Sequence, residues 1–371
     1  MRKMGVSRRF FAACGCCGGL ASATVREDDA TISRRNFVTG GVAALGLGAA
    51  ASAGMPAKML AQAKPLRIDV HHHLSPPPWV DALKKAGLET PPVTSWTPQR
   101  SLDDMDKAGV ATSILSAQTP GIGFLGSTEA AAVARASNEY AKTLAADHPG
   151  RFGTFALLPM PHVDETLREI EYALDTLKAD GVGFMTSYGD KFLGDAVFAP
   201  VMDELHRRKA TAYTHPNNPA CCQNLAGIPP TIIEWGTDTT RTIASLIFSG
   251  TSARCRDVNF IFSHGGGTVT SLTDRFSVQL PMNPKYKSFT HEGVIAELAR
   301  FYYDTAQAAN PIAMASLIRM VTTSQIVFGS DYPYRTGAEH VKGLAEIFGP
   351  DDLRNIEREN ALKLVPRWRS A

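Results

Sequence analysis

From Leu66 onward the chain repeats one pattern eight times: a short β-rich apolar run, then a longer stretch. The runs cover residues 66–70, 111–116, 153–158, 181–185, 210–214, 258–263, 301–303 and 325–329. Between them, 127–148, 163–179, 195–208 and 239–249 carry apolar residues at helical spacing, and 351–364 closes the chain as a last helix. Parallel strands need a crossover of about a dozen residues, most often a helix, so this alternation points to βα units. Eight of them suit a closed, distorted (β/α)8 barrel better than an open doubly wound sheet. No Gly-x-Gly-x-x-Gly follows the first run, which argues against dinucleotide binding. The long, proline-rich connections 74–100 and 216–238 are expected to be βα loops on the active-site face of one α/β domain spanning 64–371.

The front of the chain has another character. Residues 1–63 hold eight of the 38 Lys/Arg and three of the 36 Asp/Glu, leaving a body with 30 basic and 33 acidic residues. A mildly acidic body without basic runs gives no reason to expect a nucleic-acid partner. Ser33-Arg34-Arg35-Asn36-Phe37-Val38 is a twin-arginine pattern, followed by a Gly/Ala-rich apolar run over 38–53 and by Ala61-Gln62-Ala63, an A-x-A cleavage site. That run is too short and too Gly-rich for stable membrane insertion. Residues 1–63 therefore read as a cleaved leader, with the mature protein periplasmic or secreted. A weaker copy, Ser7-Arg8-Arg9-Phe10-Phe11, lies upstream, and translation is expected to begin nearer Ser33. Three of the six cysteines fall in the leader; Cys221, Cys222 and Cys255 are expected to be free thiols.

Chemistry-bearing residues gather at the C-terminal ends of the runs. Ile68-Asp69-Val70-His71-His72-His73 ends the first, with His71 and His73 pointing one way and His72 the other. Thr214-His215 ends the fifth, Ser263-His264-Gly265-Gly266-Gly267 the sixth and Ser330-Asp331-Tyr332-Pro333 the last. Singly, a strand-end histidine is a satisfied core residue and Asp331 an N-cap. A barrel, however, brings all its C-terminal strand ends to one rim, where His71, His73, His215, His264 and Asp331 converge on a metal. Imidazole and carboxylate suit Zn2+, the first expectation, and also Mn2+ or Fe2+.

With these motifs the chain resembles the amidohydrolase-2 branch of the amidohydrolase superfamily over about 68–364, including its 6-methylsalicylate and aminocarboxymuconate-semialdehyde decarboxylases. Asp238-Thr239-Thr240-Arg241 and Tyr303-Asp304-Thr305-Ala306 are more like the 6-methylsalicylate type. The resemblance implies that His71, His73, His215 and Asp331 bind one divalent metal, with His264 beside it. Binuclear relatives carry a bridging lysine at the end of the fourth strand; in this chain Phe184-Met185-Thr186-Ser187 offers none. It further implies a carboxy-lyase acting on a small aromatic or muconate-like acid. Asp331 would protonate the substrate carbon, or His264 would activate a metal-bound water. Arg275 matches an arginine supplied across a dimer interface, which implies a homodimer; Arg100 resembles another substrate arginine with its spacing off by one. Arg241 and Arg335 lie in loops on the same face, and Trp235 stacks on the substrate or packs a lid. A metal-dependent hydrolase such as a lactonase is the competing activity on this scaffold, and a non-catalytic, exported ligand-binding protein is a third reading.

Arg34→Lys combined with Arg35→Lys is expected to block export. Unchanged protein in the periplasmic or secreted fraction would remove the twin-arginine reading.

Overall fold

The computed structural model describes residues 66–220, 225–287, 289–290 and 292–370. The expected leader, Cys221 and Cys222 lie outside the described residues. Eight parallel strands follow in chain order: β1 (Arg67–His73), β2 (Val110–Ser116), β3 (Phe152–Leu157), β4 (Gly181–Met185), β5 (Thr211–His215), β6 (Asn259–Phe262), β7 (Tyr302–Asp304) and β8 (Ile326–Val327). Each pairs with its sequence neighbour, as the βα alternation predicts. All eight expected runs are strands, displaced by a few residues at their ends.

The barrel closes between its first and last strands. Val70 N donates to Phe328 O at 3.0 Å, Asp331 N to His71 O at 2.8 Å and His73 N to Tyr332 O at 2.9 Å. The buried Asp69 carboxylate ties the same seam. It accepts from His71 N at 3.0 Å, Ser330 N at 3.1 Å and Ser330 Oγ at 2.5 Å. Bending β1 onto Asp69 also changes its phase. Three residues of β1 (Asp69 to His72) span two of β2 (Ser113 to Leu115), a bulge. Ile68 and Val70 therefore face the barrel interior beside Phe155, Tyr213, Ile261 and Val327, and one step later His71 and His73 turn inward as well. Strict alternation would have placed His71 opposite Val70. His72 points outward, as expected, to Ser101 Oγ at 2.9 Å.

The interior cluster is plugged by Ala361, Leu362 and Leu364 of the short helix Ala361–Leu364 and by Val365, which follows it. A larger apolar layer, including Phe184, Phe260, Phe262 and Ile243, fills the space between sheet and outer helices. No described helix is long and apolar enough to cross a membrane.

Two connections differ from the sequence expectation. Residues 74–100 contain the helices Pro77–Ala86 and Pro91–Thr94 and the start of Pro98–Ala108. The helix after β5 begins at Pro230, nine residues before the expected 239. Each of these helices opens on a proline at its first turn, where the missing N–H costs nothing and φ is already set. Read as loop markers, the same prolines hid the helix starts.

Asp69→Ala leaves buried donors on both sides of the seam without an acceptor and is expected to lower stability by about 3 kcal/mol. Urea unfolding checks this; a loss below about 1 kcal/mol would show that the seam does not depend on this carboxylate.

Candidate metal centre and active-site cavity

His71, His73, His215 and Asp331 form the one described group of metal-ligating side chains, all buried, with one donor atom from each lying within 4.8 Å of the others. His71 Nδ1 donates to Asp304 Oδ2 at 2.8 Å, which turns its Nε2 to the cluster, where it takes a proton or a metal ion. That Nε2 faces His73 Nε2 at 3.3 Å and Asp331 Oδ1 at 3.2 Å, and His73 Nε2 lies 3.0 Å from the same oxygen. His215 donates from Nδ1 to Pro216 O at 3.0 Å, and its buried Nε2 has no hydrogen-bond partner. Bare nitrogens and a carboxylate oxygen crowded this closely repel unless positive charge stands among them.

The electrostatics state the same demand. Burial lowers the proton affinity of His71, but Asp304 and Asp331 outweigh it and raise the imidazole to about 10. Burial holds His73 down to about 4 and, with the neighbouring imidazoles, His215 well below its ordinary value. Burial works to raise Asp331, yet His71 and the bonds from His71 and His73 keep it ionised. Three imidazoles and one carboxylate in this arrangement fit a divalent cation. The end of β4 supplies no ligand: Thr186 bonds instead to Asp238 Oδ2 at 2.5 Å.

His264 stands beside this cluster rather than in it, its ring 4.9 Å from that of His71 and 6.0 Å from that of His215. Its Nδ1 donates to Ala306 O at 3.1 Å, so Nε2 is an acceptor, and burial lowers its basicity. His264, Gln307 and Asp331 all have left-handed backbones, at φ 55°, 52° and 62°. Such conformations cost about 1–3 kcal/mol and persist where the surroundings enforce them. The surroundings of these three residues are specific. Asp304 Oδ1 accepts from His264 N at 2.9 Å and Ala306 N at 3.0 Å. Gly267, at φ 66°, lets the chain pass so near Gly236 that a Cβ would collide with Gly236 O.

Above the cluster opens a cavity of about 520 Å³ lined by Ile232, Ile233, Trp235, His264, Gln307, Asp331 and Tyr334 among others, with no Lys or Arg among the described lining residues. Trp235 lies edge-on to His215 at 5.7 Å and donates to Asn218 at 2.7 Å, so it walls the cavity. The predicted arginines lie elsewhere. Arg100 is exposed, donates to Ser95 O at 2.7 Å and lines a separate depression with Trp96 and Tyr332. Arg241 is 3.7 Å from Glu234, and Arg335 pairs with Glu339 at 2.8 Å. Arg275 is exposed on the helix Thr273–Met282. None of the four joins the cavity lining of this chain.

The residues that sequence reasoning left without a role are Asp304, which orients both His71 and His264, and Gln307, which donates from its amide to Asp331 Oδ2. Asp304 was within reach as a carboxylate at a strand end; Gln307 had no such signal.

The model of the amidohydrolase family matches residues 68–367. The chain belongs to that family. It is 37% identical over 324 residues to a protein of Aspergillus niger, decarboxylase yanB, covering 81% of this chain and 88% of that one. To the 6-methylsalicylic acid decarboxylase of Penicillium expansum it is 35% identical over 315 residues, covering 81% and 96%. Among solved structures, the 5-carboxyvanillate decarboxylase of Novosphingobium aromaticivorans, complexed with manganese and a nitrobenzoic acid, superposes with a TM-score of 0.72 at 17% identity, covering 81% and 96%. At that identity the likeness concerns the fold.

Asp304→Asn removes the acceptor that fixes the His71 tautomer and is expected to weaken metal affinity about 10- to 100-fold, whereas His215→Ala should lose the metal outright. Titration with a chelator, followed by elemental analysis, distinguishes these; native affinity in Asp304→Asn would show that His71 needs no orienting carboxylate.

Proposed function

We propose that this protein is a metal-dependent, non-oxidative carboxy-lyase acting on a small hydroxyaromatic monocarboxylic acid. The observation that carries the reading is a buried one-ion cluster under an aromatic and aliphatic cavity without a cationic side chain among its described lining residues. A single carboxylate is met at the floor. Within one chain, a muconate-like acid with two carboxylates finds no second cation among the described lining residues, and residues 216–235, which include the undescribed part of the β5 connection, contain no Lys or Arg. The names of the fungal relatives, decarboxylases that include one for 6-methylsalicylic acid, support the same substrate class.

Decarboxylation breaks the ring–carboxylate bond, leaves its electron pair on the ring carbon and requires one proton there. A bound divalent cation would orient the carboxylate and an adjacent hydroxyl and draw electron density from the ring. Trp235 and Tyr334 border the space a flat ring would fill. That proton comes from solvent by way of a side chain that touches the space and first takes it up: Asp331, ionised at rest, whose Oδ2 accepts from Gln307, or His264, whose Nε2 is unprotonated and can accept a proton before passing it on. Tyr334 is held near 12 by burial and is a weaker source.

We propose Zn2+ as the ion because three imidazoles and a carboxylate suit it; Mn2+ is the alternative that the manganese in the structural relative supports. A homodimer with Arg275 at its interface is supported by the exposed Val278 and Met282 on the same helix. Export by the twin-arginine route is supported by Ser33–Val38 and the segment that follows.

Metal-loaded protein should release CO2 from an ortho-hydroxybenzoic acid in a panel of mono- and dicarboxylates. Lactone opening without CO2 release across the panel would replace the carboxy-lyase with a hydrolase, and elemental analysis of the same sample names the ion.

A further inference from the structure

A carboxylate ligand has a freedom that an imidazole lacks. Its terminal torsion is broad, so it can offer a metal one oxygen, the other or both. Asp331 resolves this choice visibly: Oδ1 faces His71 and His73 at 3.2 and 3.0 Å, while Oδ2 accepts from the Gln307 side-chain amide. Among the described residues, Gln307 is the one side chain that hydrogen-bonds Oδ2.

The backbone of Gln307 is anchored independently of that amide. Its N–H donates to His340 Nε2 at 2.8 Å, and the buried His340 donates in turn from Nδ1 to Thr336 O at 2.9 Å. The side chain is thus not needed to hold its own loop. It is carried on a left-handed backbone at φ 52°, a conformation with no benefit to a glutamine as such, and it forms part of the cavity wall beside His264. On its other side it lines a polar depression of about 180 Å³ with Arg335, Glu339 and His340. A strained backbone, an independent anchor and a committed amide together describe a group placed for its donor.

We propose that Gln307 is a positioning residue that fixes the Asp331 carboxylate, presenting Oδ1 to the ion and holding Oδ2 off it on the substrate side. The proposal rests on Asp331 being a metal ligand. Without the amide, Oδ2 is free to swing onto the ion, and the ion gains a ligand where the substrate carboxylate should bind.

Cobalt tests this without turnover, because the visible d–d absorption of Co2+ reports the number and geometry of its ligands. Wild-type protein should bind one Co2+ per chain. Gln307→Gly removes the amide while suiting the left-handed backbone, so it should keep or raise the melting temperature. It should shift the Co2+ spectrum toward a higher coordination number and change Co2+ affinity by about tenfold, the usual size of an outer-shell effect. Gln307→Leu keeps the bulk and should give the same spectrum. Turnover should then fall through a raised KM for the carboxylate substrate. Asn310→Ala, in the same loop, removes the cap bond from Ala313 N at 3.0 Å; it should lower stability and leave the spectrum native, separating loop damage from loss of the donor. A native spectrum and affinity in both Gln307 variants overturn the proposal while leaving the metal site intact. A wild-type protein that takes up no Co2+ overturns the ligand assignment of Asp331, and the role of Gln307 with it.

Discussion

The seam between β1 and β8 is the constraint on which the rest of this structure depends. Asp331 is separated from His71 by most of the chain, yet its amide donates to the His71 carbonyl at 2.8 Å. The backbone bonds that close the barrel are thus the same bonds that bring the candidate ligands together. Asp69 doubles the tie: it gathers Ser330 from the last strand's end and bonds the His71 amide within the bulge at which His71 and His73 turn inward. The backbone bonds that close the barrel therefore also set Asp331 beside His71 and His73.

Around that seam the site holds its polar groups by over-determination. His264, Gln307 and Asp331 adopt backbone conformations that side-chain-bearing residues avoid, and each is fixed by bonds from elsewhere in the chain. Asp304 serves two of the histidines, one through its ring and one through its amide nitrogen. The close passage of Gly267 over Gly236 lets the β6 loop and the β5 helix meet at the cavity wall. Such arrangements store strain at the chemistry and depend on the packed barrel beneath to sustain it.

How much of this was legible in the sequence follows from which interactions are local. Strand periodicity is local, and all eight strands could be read from it. The clustering of His71, His73, His215 and Asp331 could be read too, because a barrel maps strand ends to one rim whatever the loops do. The bulge in β1 was not legible: it arises from a side chain bonding its own backbone two residues on, and alternation alone predicts the opposite phase. Helix starts at Pro77, Pro91 and Pro230 were misread because proline marks loops and first turns alike. Arg335 lies in a loop, as expected, but Arg241 falls within the helix Pro230–Phe248, and Arg100 and Arg275 also sit on helices. Whether a long side chain turns toward the cavity or toward a nearby carboxylate, as Arg241 and Arg335 do, is decided in three dimensions. Gln307 carried no signal because its role lies in one hydrogen bond to a residue from another strand.

The described wall of the cavity, which carries no Lys or Arg in one chain, bears on how a catalytic cycle ends. In the proposed carboxy-lyase reaction, the substrate enters as an anion and the organic product leaves as a neutral phenol, since the only charged group departs as CO2. What remains to hold a neutral ring is apolar contact with residues such as Ile232 and Trp235 and the polar bonds its hydroxyl can make. Affinity is therefore spent on the group that the reaction destroys. The site's hold on the molecule is thus weakest at the moment of conversion, which favours release of the product over its retention.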